Sequence, residues 1–150
     1  MTKTVYYRPG HTDSRLYFRD GLACWVDRDP NRPWDEDHGS LPIWPLLYQA
    51  LFQLGIVDQL AELPHDFILG AHEEGVIFRE GLETAVRDLR ARAASLEVDY
   101  DWLCLTDRRD GEVIEYRLAA AGSAVRRGLE ELAGFAEDGA RRGFDLQLWL

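Results

Sequence analysis

The sequence predicts a single α+β domain over residues 1–150, with a largely antiparallel or mixed sheet of about five to six strands packed with three to four helices. Three features indicate this. Two Asp-Gly dipeptides lie between apolar runs and indicate β-hairpins, three segments repeat apolar residues at helical spacing, and the last residues alternate apolar and polar side chains. Hairpins mixed with helices are typical of the α+β class.

The first hairpin is predicted in "RLYFRDGLACWV", where the Asp-Gly dipeptide at 20–21 suits a two-residue turn with positive φ. In this register Leu16 faces Trp25 and Phe18 faces Ala23. The segment therefore predicts two strands joined by a tight turn.

The second hairpin is predicted in "DWLCLTDRRDGEVIEYRLA", with its turn at residues 110–111. Leu105 is expected opposite Tyr116, and Leu103 opposite Leu118. These pairs place apolar side chains on one continuous face.

The first helix is predicted in "LPIWPLLYQALFQLG", after Ser40 as N-cap and with Gly55 at its end. Its prolines fall in the first turn, where a missing N–H is tolerated. Between Ile43 and Leu54 it is apolar nearly all round. Such a helix is buried centrally or covered by another chain, so a homodimer through Ile43–Leu54 is the second possibility.

Two further helices and two strands follow. One apolar stripe runs through "GLETAVRDLRARAASL", and another through "SAVRRGLEELAGFAEDGARRG" from Ser123. A short strand is expected near Ile77. The closing "FDLQLWL" alternates three leucines with Asp145, Gln147 and Trp149, which predicts a final strand built into a sheet.

Charge and composition limit the classes of function. The formal net charge is −10, and the Arg-Arg pairs are scattered among acids. We therefore expect a basic protein as the partner, and we do not expect nucleic acid. There is no signal-peptide pattern and no apolar run long enough to span a bilayer, so we expect a soluble, cytoplasmic protein with no membrane partner. No P-loop, G-x-S-x-G or G-x-G-x-x-G motif occurs, and no cofactor is predicted.

The segment "DRDPNRPWDEDHGS" is the most acidic part of the chain. Asp27 and Asp29 have the spacing of calcium ligands, but Arg32 stands where an EF-hand loop needs glycine, so no metal site is predicted. A solvated connection is one interpretation. The other is a partner-binding surface, in which an aromatic anchor lies beside clustered carboxylates. Its candidate residues are Trp34, Asp35, Glu36, Asp37, Asp27 and Asp29.

The segment "GAHEEG" is the alternative site, because histidine and glutamate between glycines suit acid–base chemistry or metal binding. The candidate ligand or metal residues are His65, His72, Glu73 and Glu74. Their spacing matches no established zinc motif, and a polar turn without chemistry is the simpler interpretation.

The functional hypothesis from sequence is a small acidic protein-binding module. A concrete version is an inhibitor or immunity protein that neutralises a basic bacterial toxin or enzyme. The alternatives are a small enzyme or ligand-binding protein with its site around residues 72–74, and a homo-oligomeric structural protein. No catalytic residue is predicted, because no carboxylate pair stands out from the others.

Overall fold

A computed structural model describes residues 1–8, 12, 19–28, 38–96 and 98–150, and it shows a single-domain α+β fold. Within these residues there are four helices and eight strands in two sheets. The strands are β1 Thr2–Tyr6, β2 Gly21–Val26, β3 Ser40–Ile43, β4 His65–Asp66, β5 Glu74–Ile77, β6 Tyr100–Arg109, β7 Glu112–Ala120 and β8 Asp145–Trp149. The helices are α1 Pro45–Gln53, α2 Ile56–Leu60, α3 Arg79–Ala94 and α4 Gly122–Arg141.

The larger sheet has five strands in the order β3-β2-β8-β5-β4, and each neighbouring pair is antiparallel. The last strand of the chain lies at its centre, which confirms the strand predicted from the closing alternation. Leu146 and Leu148 face the core and are almost fully buried. β5 confirms the short strand expected near Ile77.

The predicted first hairpin is only partly described. Its second strand is β2, but Leu16 and Phe18 lie outside the described residues. Both edges of β2 are occupied by other strands, β3 and β8. Ala23 is paired with Leu41 and Leu148 on these two sides, so the predicted pairing of Ala23 is wrong.

The smaller sheet has the order β1-β7-β6, and its β6–β7 hairpin confirms the second predicted turn. Asp110 and Gly111 have φ of 51° and 79°, as a two-residue turn with left-handed backbone requires. β1 joins in parallel to β7 on the other side.

The predicted register of this hairpin is right at one pair and wrong at the next. Leu105 does face Tyr116, but Leu103 faces Arg117 instead of Leu118, because the register shifts between Leu103 and Leu105. An extra residue in one strand reverses which side chains point inward. Leu103 is consequently 42% exposed, and the predicted continuous apolar face is broken there.

The first predicted helix begins later than expected. Ser40 is not its N-cap but the first residue of β3, and the helix begins at Pro45. Proline is tolerated in β3 because an edge strand has a side that needs no hydrogen-bond donor. The predicted stop is confirmed, since Gly55 has φ 70°. Most of α1 is buried within the chain, as central burial requires, while Trp44 just before it is 64% exposed.

Helices α3 and α4 confirm the two amphipathic stripes. Their inward residues are buried, and both helices contact β8, while α4 also contacts β2 and α1. The helices therefore cover one face of the five-stranded sheet, here called the inner face. Within the described part of the chain, no helix has the length and apolar character needed to cross a bilayer.

Candidate functional site

The acidic segment is described only at its two ends. Asp29, Trp34, Asp35, Glu36 and Asp37 lie outside the described residues. Asp27, which directly follows β2, is half-buried. The placement of the predicted anchor and carboxylates is therefore still a prediction.

At the first end of this segment, Arg28 is held by two carboxylates. Its guanidinium donates to Asp145 at 3.0 and 2.6 Å and to Glu80 at 3.0 and 2.7 Å. These hydrogen bonds raise the pKa of Arg28 and lower that of Glu80 from 4.5 to about 2. Asp145 also accepts the backbone N–H of Arg79 at 2.8 Å, in the first turn of α3. The Arg28 guanidinium therefore stabilises the fold, and the carboxylates of Asp145 and Glu80 neutralise its charge.

At the second end, His38 and Gly39 meet a stack of aromatic rings. His38 stacks on Phe144 with ring centroids 4.7 Å apart, and Phe144 stacks on Trp25 at 5.9 Å. Trp25 also stacks on Phe135 at 4.7 Å, and its indole N–H donates to the Phe135 carbonyl at 2.9 Å. Both ends of the acidic segment are thus fixed at the end of the sheet where β2 finishes and β8 begins.

Of the four residues of the alternative site, His65 lies on β4 and Glu74 on β5, while His72 and Glu73 lie in the turn before β5. His65 pairs with Ile77, three residues beyond Glu74 on β5, which is roughly 10 Å along an extended strand. His65 Nδ1 lies 2.8 Å from the Leu63 carbonyl oxygen. Among the described residues, no group of three or more His, Cys, Asp or Glu side chains could hold a metal ion. The structure therefore does not assemble the conceivable zinc site.

His72 instead belongs to a contact with the end of the chain's last strand. Arg19 Nη1 donates to His72 Nδ1 at 2.6 Å, and Arg19 Nη2 donates to the Leu150 carbonyl. The His72 backbone N–H donates to the same carbonyl at 2.7 Å, and His72 has φ 62°. A left-handed non-glycine residue is uncommon and is held here by these bonds. The arrangement fixes the turn before β5.

A different surface fits the predicted aromatic anchor beside carboxylates. This is the outer face of the five-stranded sheet, which is the side away from α3 and α4. One cross-strand row on it joins Pro42, Leu22, Trp149 and Glu74, each paired with the next. Trp149 is 47% exposed and Leu22 is 37% exposed. A large aromatic side chain therefore stands on the central strand with an exposed leucine on one side and a carboxylate on the other.

The charge of the outer face is negative. Asp66 and Glu74 are exposed on β4 and β5, and the outward-pointing residues of the five described strands include no Lys or Arg. Beyond β4 the chain continues into Phe67 and Ile68, which are both exposed. Phe67 has φ 61°, an uncommon conformation for a bulky residue, and such local strain occurs preferentially at functional sites.

Sequence reasoning missed this surface although one signal for it was present. Trp149 occupies a polar position in the alternation of the last strand, beside Asp145 and Gln147, and such a position is typical of the solvent side. Its neighbours were not predictable, because Leu22 and Glu74 are brought beside it only by the sheet order.

The comparisons with known proteins add no functional assignment. No protein-family model matches the chain, and no curated protein or solved structure matches it.

Proposed function

We propose that this protein is a cytoplasmic protein-binding module that recognises a basic protein, with the outer face around Trp149 as its contact surface. A concrete form of this function is an inhibitor or immunity protein that covers the cationic active site of a toxin or enzyme. The formal net charge of −10 favours such a partner, because opposite charge speeds encounter and disfavours acidic competitors.

The exposed Trp149 is the observation that carries this proposal. Protein interfaces obtain most of their binding free energy from a few buried anchors, and tryptophan is enriched among them. Trp149 lies on the central strand with Leu22 directly across from it, so a partner can desolvate both side chains at once. Exposed ion pairs contribute only about 0.2–1 kcal/mol each, so the carboxylates are expected to steer and orient the partner more than to hold it.

The acidic segment is a second predicted part of the contact surface. Trp34, Asp35, Glu36 and Asp37 have the same combination of aromatic and acidic side chains. A test must therefore separate the segment from the outer face.

The test is affinity capture from the lysate of the source organism with four forms of the protein. The wild type is compared with Trp149→Ser, with Trp44→Ser, and with a segment variant that carries Trp34→Ala, Asp35→Asn, Glu36→Gln and Asp37→Asn. Trp44 is the matched control, because it is even more exposed than Trp149 but lies between β3 and α1, outside the row of paired residues that joins Pro42 to Glu74. All four forms are first shown to be folded by thermal unfolding.

The proposal expects one basic protein that is retained by the wild type and by Trp44→Ser and lost by Trp149→Ser. Loss with the segment variant as well would extend the contact surface to residues 34–37. Retention of the same protein by Trp149→Ser, or capture of an acidic partner only, would contradict the proposal.

A further inference from the structure

Trp149 stands in a row of side chains that crosses the strands of the outer face. Leu22 on β2 is paired with Trp149 on β8, and Trp149 is paired with Glu74 on β5. Directly paired residues of antiparallel strands point to the same face, with Cβ atoms about 4.5–5.5 Å apart. The row therefore presents, in this order, an aliphatic group, a large aromatic ring and a carboxylate, over roughly 10 Å.

All three side chains of this row are open to solvent. Leu22, Trp149 and Glu74 are each exposed. Within the described part of the chain, no basic side chain forms an ion pair with Glu74, and no ring stacks on Trp149. The carboxylate and the indole ring are therefore both accessible to a group of another protein.

The order of these groups matches an arginine side chain that lies across the strands. Its methylene stem can pack on Leu22 while its planar guanidinium stacks on the Trp149 indole. The N–H fork at the end of the side chain lies in the plane of the cation, so it then points towards Glu74. A guanidinium on a tryptophan ring is a favourable cation–π contact, and a carboxylate binds the fork through two parallel hydrogen bonds.

Other cations match the row less well. A lysine ammonium has the same charge, but it has no plane and no fork, and it is more strongly hydrated than a guanidinium. Quaternary ammonium groups are recognised by cages of several aromatic rings. Among the outward-pointing residues of the five described strands, Trp149 is the only aromatic one. The row therefore favours arginine.

We propose that the row from Leu22 to Glu74 binds an arginine side chain of the partner protein, with the guanidinium stacked on the Trp149 indole and bonded to the Glu74 carboxylate. This inference rests on the proposed function, because it names the group of the basic partner that the outer face recognises. An apolar contact alone would let Trp149 accept any apolar side chain of a partner. The adjacent carboxylate selects a planar cation.

The experiment uses three blocked pentapeptides that differ only in the central residue, which is arginine, lysine or citrulline between serine and glycine residues. Citrulline keeps the shape of arginine without its charge. Each peptide is titrated at constant ionic strength into the ¹⁵N-labelled full chain, and the Trp149 indole N–H and the Val76 backbone N–H are followed by NMR. The titrations are repeated with Glu74→Gln, which removes the charge at the same size. Glu83→Gln is the matched control, because Glu83 is an exposed carboxylate on α3, away from the outer face.

The proposal predicts saturable shifts at both positions with the arginine peptide. The affinity should be at least about threefold lower for the lysine peptide and about tenfold lower for the citrulline peptide. Glu74→Gln should weaken binding of the arginine peptide by about fivefold or more, while Glu83→Gln should bind it as the wild type does. No shift with the arginine peptide, equal affinity for the arginine and lysine peptides, or unchanged affinity in Glu74→Gln would overturn the proposal.

Failure of this inference is distinguishable from failure of the proposed function. If a basic protein is lost by Trp149→Ser but the arginine and lysine peptides bind equally, the outer face is the contact surface and only the arginine inference is wrong. If Trp149→Ser retains the basic protein, the proposed function itself is contradicted, whatever the peptides show.

Discussion

Arg28 and Asp145 form a bidentate ion pair in which Nε and Nη2 of the guanidinium donate to the two carboxylate oxygens at 3.0 and 2.6 Å. The pair joins the residue two places after β2 to the first residue of β8. The Asp145 side chain is buried, and the same carboxylate accepts the Arg79 N–H of α3. The Asp145 side chain on β8 therefore bonds both to Arg28, two places after β2, and to the first residue of α3.

Asp145→Ala should strongly destabilise the fold. It removes three hydrogen bonds and leaves Arg28 and the Arg79 N–H without this acceptor, so we expect the free energy of unfolding to fall by about 2–4 kcal/mol. Urea denaturation measures this change. Glu80→Gln is the control, because Glu80 bonds the same guanidinium from an exposed position and should cost less. Equal losses for the two variants would show that burial of Asp145 adds nothing.

The contribution of Glu80 should depend on pH in a defined window. Arg28 lowers the pKa of folded Glu80 from 4.5 to about 2, so the unfolded chain takes up the proton first as the pH falls. The stabilisation is then fully present above the unfolded pKa and is lost as the pH falls through the folded pKa. We expect the difference in unfolding free energy between wild type and Glu80→Gln to be constant near neutral pH and to shrink between pH 4.5 and about 2. A difference that stays constant through this range would refute the assigned pKa.

Two glycines of α4 should respond in opposite directions to alanine. A Cβ at Gly139 would lie 2.6 Å from two atoms of the Trp25 indole, whereas a Cβ at Gly134 would meet no atom within 4 Å. Gly139→Ala should therefore destabilise by about 1–3 kcal/mol through overpacking. Gly134→Ala should stabilise by up to about 1 kcal/mol, because alanine is the better helix former. Thermal unfolding of the two variants checks this, and a stabilising Gly139→Ala would contradict the close contact with Trp25.

The sequence predicts the elements whose signals are local. The stripes of α3 and α4, the alternation of β8 and the turn at residues 110–111 each depend on neighbours within a few positions. β3 was mistaken for the start of a helix, because Pro42 and Pro45 suit a first helical turn as well as they suit an edge strand. The register shift beside Cys104 was missed because it depends on which side chains the rest of the fold buries.

The candidate site was harder to predict than the fold. The row from Pro42 to Glu74 comes from four strands that are distant in sequence, and only the sheet order brings their side chains together. The alternative site illustrates the reverse, since proximity in sequence suggested one cluster, whereas His65 pairs with the far end of β5 from Glu74. Local composition thus suggested an aromatic group beside acids in the acidic segment, but it gave no indication of the row around Trp149.

The most direct test of the proposed contact surface is the dissociation constant of the captured basic protein for wild type, Trp149→Ser and Trp44→Ser. We expect Trp149→Ser to weaken binding by about 30-fold or more, as the loss of a central anchor does, and Trp44→Ser to leave it nearly unchanged. Binding by the wild type should also weaken as the salt concentration rises, since the steering charges are exposed. A Trp149→Ser protein that binds as tightly as the wild type would contradict the account.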